Sequence, residues 1–250
     1  PSTRWRRRSV PAVRYRPAVR YDRPQTRPAA PRLREEGRPA SGGSARLAGG
    51  PGAHVAALVA TGDGFAAGGW TGEAGAEALV LRVSPDGVPD ADFATRARAA
   101  LRVPGAARVL ALVPGGAGRL VVAGAIRDGA GERAFVARLL PDGRGDPSFG
   151  SGGRVPLVRA GDAAAVLALA PDPQGRIVVA GRSGDGAFVA RLGRDGAPDA
   201  GFAEDGIARV PLARPGRVVA AAIDADGGVA FVARANGVDA PALVARTRPD

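Results

Sequence analysis

The chain has 250 residues and a formal net charge of +11, and it contains neither cysteine nor methionine. It therefore forms no disulfide and offers no thiolate ligand or cysteine nucleophile. His54 is the single histidine, so there is no His/Cys cluster for zinc, and no run of about 18 apolar residues marks a membrane span.

The positive charge is concentrated at the start of the chain. Residues 1–50 hold 13 arginines against three acidic residues, whereas residues 51–250 hold 22 arginines against 21 acidic residues. The second region is close to neutral, so any attraction to a polyanion belongs to the first fifth of the chain.

Residues 1–43 are rich in arginine and proline and are predicted to be a disordered tail or linker. The segment has too few apolar residues to offset the entropy of ordering. Arginines can neutralise phosphates while aromatic rings stack on bases, which makes the tail a candidate for binding nucleic acid. The residues that would carry this are Trp5, Arg6, Arg7, Arg8, Tyr15 and Tyr21. The alternative is a solvated linker.

From Ala53 the pattern changes to short apolar strands separated by Gly/Asp turns. First strands are predicted at residues 54–60, 108–114, 165–171 and 217–223, and each is followed by a turn, a second strand and a third strand. A fourth short strand follows in the first three units. His54 opens the first of these strands and is interpreted as a surface or strand-end residue.

The unit repeats about every 55 residues. Phe93, Phe149 and Phe202 occupy the same local frame, SPDGVPDADF, LPDGRGDPSF and RDGAPDAGF, at intervals of 56 and 53 residues. Four short antiparallel strands per repeat are typical of a β-propeller blade, which can bury its two apolar faces only by stacking on neighbours. A right-handed β-solenoid is the competing repeat fold.

We therefore predict an all-β, propeller-like domain over residues 44–250 with about three and a half blades. The blades cover about 53–106, 107–163, 164–215 and, in part, 216–250. Such an arc is an incomplete ring unless residues 44–48 add the last strand of the fourth blade. Open blade edges would otherwise favour self-association.

Three phrases carry a family resemblance: GRIVVAG at 175–181, AFVARL followed by a DG turn, and DPSFGSGGRV at 146–155. They resemble the bacterial delta-60 repeat family over about residues 53–250. The first repeat departs from the family pattern, with DADFATRARAAL in place of a glycine-rich segment. The resemblance implies a propeller fold and a place in the cell envelope or outside the cell, and it implies no catalytic residues. The chain begins at proline, so we expect a fragment or a processed form, with room for an export signal upstream.

Acidic residues recur in the loop that precedes each repeat phenylalanine. We interpret them, with the phenylalanines, as structural residues of the repeat that fix turns through local backbone N–H groups: Asp86, Phe93, Asp142, Phe149, Asp195 and Phe202. Ca²⁺ binding in these Asp-rich loops is the alternative, and otherwise no cofactor is expected.

The predicted function is a non-catalytic repeat scaffold that binds an unknown protein or glycan. Arginines at one position per blade (Arg82, Arg138, Arg191 and Arg246) are expected to pair with loop acids. Ligand contacts are instead expected from positions that differ between blades, namely Trp70, Arg127 and Arg182. Two alternatives remain open: a nucleic-acid-associated protein acting through the tail, and a propeller hydrolase that uses paired carboxylates.

Overall fold

A computed structural model describes residues 32–33, 39–40, 52–72, 77–85, 87–94, 98–101, 106–129, 131–157, 164–184, 186–203, 205–210, 216–235 and 242–247. All regular structure in these ranges is β-strand. None of them forms a helix long and apolar enough to cross a membrane.

A small ladder lies within the segment predicted to be disordered. Strand β1 (Arg32–Leu33) pairs antiparallel with β2 (Pro39–Ala40). Residues 1–43 therefore differ from the prediction at these four positions. The rest of residues 1–51, including the strand suggested at 44–48, lies outside the described residues.

Four antiparallel sheets follow in chain order, and each is one blade. Blade one has the order β3 (His54–Thr61), β4 (Gly64–Thr71), β5 (Glu77–Val83), β6 (Arg98–Leu101), and blade two has β7 (Ala106–Pro114), β8 (Leu120–Asp128), β9 (Gly131–Leu139), β10 (Arg154–Pro156). Blade three has β11 (Ala164–Pro171), β12 (Ile177–Ser183), β13 (Gly186–Leu192), β14 (Ile207–Val210), and the described part of blade four has β15 (Gly216–Ile223), β16 (Val229–Ala235), β17 (Ala242–Thr247).

The predicted all-β, propeller-like fold is confirmed. The first strands β3, β7, β11 and β15 begin within two residues of the predicted starts. Each first strand also carries a β-bulge at the same place, after Val55, Val109, Val166 and Val218. Such bulges increase the local twist of a strand pair. They also give a residue-by-residue alignment of the four blades.

Consecutive blades stack face to face. We call the face that a blade turns towards the preceding blade its leading face, and the face towards the following blade its trailing face. Between blades one and two, the trailing residues Ala66, Val80 and Phe93 pack with the leading residues Val109 and Leu112. Equivalent cores join blades two and three, and three and four. Three successive interfaces of the same kind therefore form most of the described hydrophobic core, and a fourth, smaller cluster of Ala67, Leu79 and Leu81 is buried on the leading face of blade one.

Each of the first three blades contains a unit made of an arginine, an aspartate and a phenylalanine. In blade two, Arg138 Nε lies 2.8 Å from Asp146 Oδ2, and its guanidinium carbon lies 4.8 Å from the centre of the Phe149 ring. The backbone N–H of Asp146 donates to the carbonyl of Arg138, and that of Phe149 donates to the carbonyl of Asp146. The arginine thus holds the turn closed from one side while the phenylalanine enters the interface from the other.

The same unit recurs with small variations in geometry. In blade three, Arg191 Nε lies 2.7 Å from Asp199 Oδ2 and its guanidinium carbon 4.6 Å from the Phe202 ring centre. In blade one, the arginine of the unit is Arg82, which also pairs with Asp63. We call these the Arg–Asp–Phe units.

Backbone contacts tie each unit to the following blade. The residue after the phenylalanine donates its N–H to an aspartate carbonyl of the next blade: Ala94 to Asp142 at 2.9 Å, and Gly150 to Asp195 at 2.8 Å. Gly196, in the turn of blade three, has a φ of 85°, and a Cβ there would lie 2.9 Å from Cε2 of Phe149. This turn needs glycine both for its backbone angle and for the neighbouring ring.

Replacing Phe149 by alanine should destabilise the fold by about 3–5 kcal/mol, because a fully buried ring leaves a cavity between blades two and three. The measurement is the denaturant midpoint and slope of the unfolding transition. The exposed Arg144 is the control, and Arg144→Ala should stay within about 0.5 kcal/mol of the unaltered chain. Equal midpoints for the two variants would contradict this account of the interface.

Candidate functional site

The two ends of each blade have different chemistry. The Arg–Asp–Phe units occupy the end at which the third strand finishes, and they repeat from blade to blade. At the opposite end the first strand begins and the second strand finishes, and there the side chains differ between blades. The end with varied side chains is therefore the candidate location of a binding site.

Five residues from this end come together where blades one and two meet. We call them the Trp70 cluster: His54, Trp70, Arg108, Arg127 and Glu132. His54 opens β3 and is the register partner of Trp70 on β4. Their rings stack with centroids 5.0 Å apart and an interplanar angle of 17°. The guanidinium carbon of Arg108, on β7, lies 5.8 Å from the centre of the Trp70 ring, within the range of a cation–π contact.

Glu132 links the aromatic pair to a second arginine. It accepts a hydrogen bond from Arg108, and its Oε2 lies 3.8 Å from Nη2 of Arg127. Two guanidinium groups therefore share one carboxylate, and the cluster keeps an excess of positive charge. Arg127 and Glu132 are register partners because the β8–β9 hairpin extends to the pair Asp128 and Gly131. The β12–β13 hairpin stops two pairs earlier.

The cluster is open to solvent on one side. His54 is exposed and the Arg127 side chain is 68% exposed, whereas Trp70, Arg108 and Glu132 are half-buried. A ligand could therefore contact an aromatic surface and two guanidinium groups at once. Such a surface suits a molecule with one flat apolar face and hydroxyl or carboxylate groups at its rim.

Two of the three predicted ligand-face residues, Trp70 and Arg127, belong to this cluster. Arg182 does not: it occupies the Trp70 position in blade three, where its register partner on β11 is Ala165. His54, Arg108 and Glu132 were not singled out from the sequence as ligand-contacting residues. The signal that could have found His54 is its register with Trp70, which follows from aligning Gly69 with Gly124 and Gly181.

A cavity of about 730 Å³ lies at the other end, between blades two and three. Its polar lining includes Arg119, Arg138, Ser148, Arg194 and Asp195, and residues such as Val113 and Ile177 form the apolar part. Several of these polar groups are already engaged. Arg138 donates to Asp146, Ser148 and the Arg194 carbonyl, and Arg194 donates to the Gln174 carbonyl. The cavity is thus walled largely by groups that hold the two blades together.

The loop carboxylates bind nearby backbone N–H groups. Asp142 Oδ1 accepts from Arg144 N–H at 3.0 Å, Asp195 Oδ1 from Ala197 N–H at 3.0 Å, and Asp146 Oδ1 from Ser148 N–H at 3.0 Å. In the part of the chain that the structure describes, no three His, Cys, Asp or Glu residues are grouped so that they could hold a metal ion.

The repeat arginines do pair with loop acids, through one particular aspartate of each loop. Their partners are Asp90, Asp146 and Asp199, four residues after the aspartates singled out as structural. Asp142 and Asp195 instead offer their backbone carbonyls to the preceding blade. Asp86, the side chain of Arg246, and the tail residues Trp5, Arg6, Arg7, Arg8, Tyr15 and Tyr21 lie outside what the structure describes.

A family model described as "Domain of unknown function (DUF5122) beta-propeller" matches residues 118–149 and 173–202. Each match runs from the turn before a second strand to the repeat phenylalanine, so it includes one Arg–Asp–Phe unit. These matches support a β-propeller repeat family.

A solved structure titled "Streptogramin B lyase structure" resembles the chain with a TM-score of 0.43 and 14% sequence identity. The similarity covers 78% of this chain and 55% of that one, so the chain spans little more than half of its length. No curated protein matches the sequence.

The stability of the propeller should fall in acid through Asp146. Hydrogen bonding from Ser148, assisted by Arg138, lowers the pKa of Asp146 from 3.8 to about 2. A lowered folded-state pKa gives stability that is present above pH 3.8 and is lost as the pH falls through about 2. Unfolding midpoints between pH 6 and pH 2, compared with those of Asp146→Asn, measure this contribution.

The unaltered chain should be the more stable of the two above pH 4, and the difference should shrink towards pH 2. Ser148→Ala removes the largest cause of the lowered pKa of Asp146. The Ser148→Ala chain should therefore lose stability at a higher pH than the unaltered chain does. A difference in unfolding midpoint between the unaltered chain and Asp146→Asn that stays constant from pH 6 to pH 2 would contradict this assignment.

Proposed function

We propose that this β-propeller is a non-catalytic binding module of the delta-60 repeat type that recognises a glycan through the Trp70 cluster. The observation that carries the proposal is the convergence of side chains from two blades on one partly exposed aromatic pair flanked by two arginines. The repeating residues are engaged in holding the turns and blades together, so they leave little for a ligand.

The chemistry of the cluster favours a sugar. The C–H face of a pyranose ring stacks on an aromatic side chain, and its hydroxyl or carboxylate groups accept hydrogen bonds from guanidinium groups. Arg108 and Arg127 supply such donors beside His54 and Trp70, and their shared Glu132 holds them in place. An excess of one positive charge favours a glycan that carries uronic acids over a neutral one.

A role without catalysis fits the use of the single histidine. His54 is stacked on Trp70 and has no cysteine or second histidine to work with. Placement in the bacterial envelope or outside the cell is part of the same proposal, and it rests on the likeness of residues 53–250 to delta-60 repeats. An envelope glycan would then be the natural ligand class.

The test is calorimetric titration of the chain with two kinds of soluble oligosaccharide, one neutral and one containing uronic acids. Trp70→Ala should weaken binding at least about tenfold, because buried aromatic anchors contribute most to such contacts. Arg144→Ala, at the other end of blade two, is the matched control and should bind like the unaltered chain.

Arg127→Ala should weaken binding of the acidic oligosaccharide more than that of the neutral one. If the unaltered chain binds neither kind, a glycan ligand is wrong and a protein ligand becomes the next candidate. Equal affinities for Trp70→Ala and the unaltered chain would place the ligand elsewhere.

The arginine-rich tail carries a second candidate function, binding to nucleic acid. The observation behind it is the net charge of +10 over residues 1–50, combined with Trp5, Tyr15 and Tyr21. Deleting residues 1–30 should abolish salt-sensitive binding to single-stranded DNA, measured by fluorescence anisotropy. Equal binding with and without the tail would end this candidate.

A further inference from the structure

Blades one and four expose apolar residues to a greater extent than the other blades expose their counterparts. On the leading face of blade one, Val55 is 55% exposed and Leu58 is 68% exposed. At the Val55 position, Val109, Val166 and Val218 of blades two to four are at most 2% exposed. At the Leu58 position, Leu112 and Leu169 are at most 9% exposed. Val55 and Leu58 of blade one are thus exposed at positions that a preceding blade covers in the other blades.

Phe65 completes this exposed surface. It is 38% exposed, whereas the residues at its position, Leu120, Ile177 and Val229, are buried in the three interblade cores. The outer part of the same face, which includes Leu79, is buried. The exposed surface of Val55, Leu58 and Phe65 therefore follows the first two strands, where a preceding blade would pack.

Blade four shows the complementary surface. Val219 occupies the position of Leu167, which packs into the core between blades three and four, yet Val219 is 50% exposed. Ala220 is exposed, whereas Ala168 at its position contacts that core. Val232 is half-buried, although its counterparts Ala123 and Ala180 are fully buried. The trailing face of blade four therefore has the residues of an interblade interface but is partly exposed to solvent.

We propose that the leading face of blade one binds the trailing face of blade four from a second copy of this chain. The occupant follows from the chain's own interfaces. Three times within one chain, a leading face of this composition packs on a trailing face of this composition, with the same strands and bulges in register. The exposed leading surface of blade one and the exposed trailing surface of blade four match the two sides of such a pair, so a second copy offers each of them its complement.

The contact is head-to-tail, which decides the geometry of the assembly. A head-to-tail interface makes a ring if the rotation closes and an open chain of copies if it does not. Two copies joined in this way bring together eight blades, which is within the usual range of about four to eight for closed propellers. The pairing also removes the exposed Leu58 and Val219 from water, which favours association.

The test is the mass of the full chain in solution, by sedimentation velocity over a wide range of concentration. The unaltered chain should reach a mass of at least two chains, where one chain is 25.1 kDa. Leu58→Asp damages only leading faces and Val219→Asp only trailing faces, so each variant alone should sediment as a single chain. Both positions are exposed within one chain, and far-UV circular dichroism checks that each variant folds.

Mixing the two variants separates this contact from any other. The Leu58→Asp chain keeps an intact trailing face and the Val219→Asp chain keeps an intact leading face, so the mixture should regain a dimer of one copy of each. Val88→Asp, an equally exposed valine in the turn after β5, should leave the mass of the unaltered assembly unchanged.

Three results would overturn the proposal. The first is a single-chain mass for the unaltered chain at every concentration, which would assign the two faces to further blades of a longer chain or to another protein. The second is an unchanged mass for Leu58→Asp or Val219→Asp. The third is a mixture of these two variants that stays at single-chain mass.

Discussion

The contact on which the rest of this structure depends is the one between an arginine, an aspartate and a phenylalanine in each of the first three blades. A single guanidinium group, such as that of Arg138, binds the carboxylate of its own loop, covers the Phe149 ring and reaches a carbonyl of the next blade. The charged group thereby fixes the loop that inserts the ring into the interface. Because a buried guanidinium must be paired, the aspartate and the arginine become necessary to each other. In each of these three blades, the ion pair that closes the turn therefore also holds the phenylalanine that packs against the next blade.

Repetition explains why so much of the fold could be predicted from the sequence. Four aligned copies of a strand-turn-strand pattern reinforce each other, so the starts of β3, β7, β11 and β15 were found to within two residues. The choice among the loop aspartates was harder. Asp142 and Asp146 both recur at fixed distances from Phe149, and the sequence spacing does not favour either. The backbone hydrogen bond from Asp146 to Arg138 decides which carboxylate faces the guanidinium, and it depends on the folded turn.

The candidate site could be predicted only in part, for a related physical reason. Trp70 and Arg127 stand out because they differ from the residues at the same positions of the other repeats, and this difference can be seen in the sequence alone. His54 joins Trp70 through the register of two strands, and Arg108 joins them by crossing from one blade to the next. Arg182 occupies the Trp70 position in blade three, where its register partner is Ala165, and it does not belong to the Trp70 cluster. A departure from the repeat therefore marks a candidate residue, but only interblade packing shows which departures meet.

Because the blades repeat, the exposed fraction of a side chain in one blade can be compared with that of its counterparts in the other blades. A single exposed leucine on a protein surface needs no explanation. Leu58 is different, because Leu112 and Leu169 show what its environment is when a neighbouring blade is present. The same comparison applies to Val219 and Leu167 at the other end of the array. In a stacked fold each face fits the face of the next unit, so an uncovered face is a copy of a surface whose partner is already known. The same pairing of a leading face with a trailing face occurs three times within the chain. The exposed faces of blades one and four are therefore expected to bind another blade of the same kind.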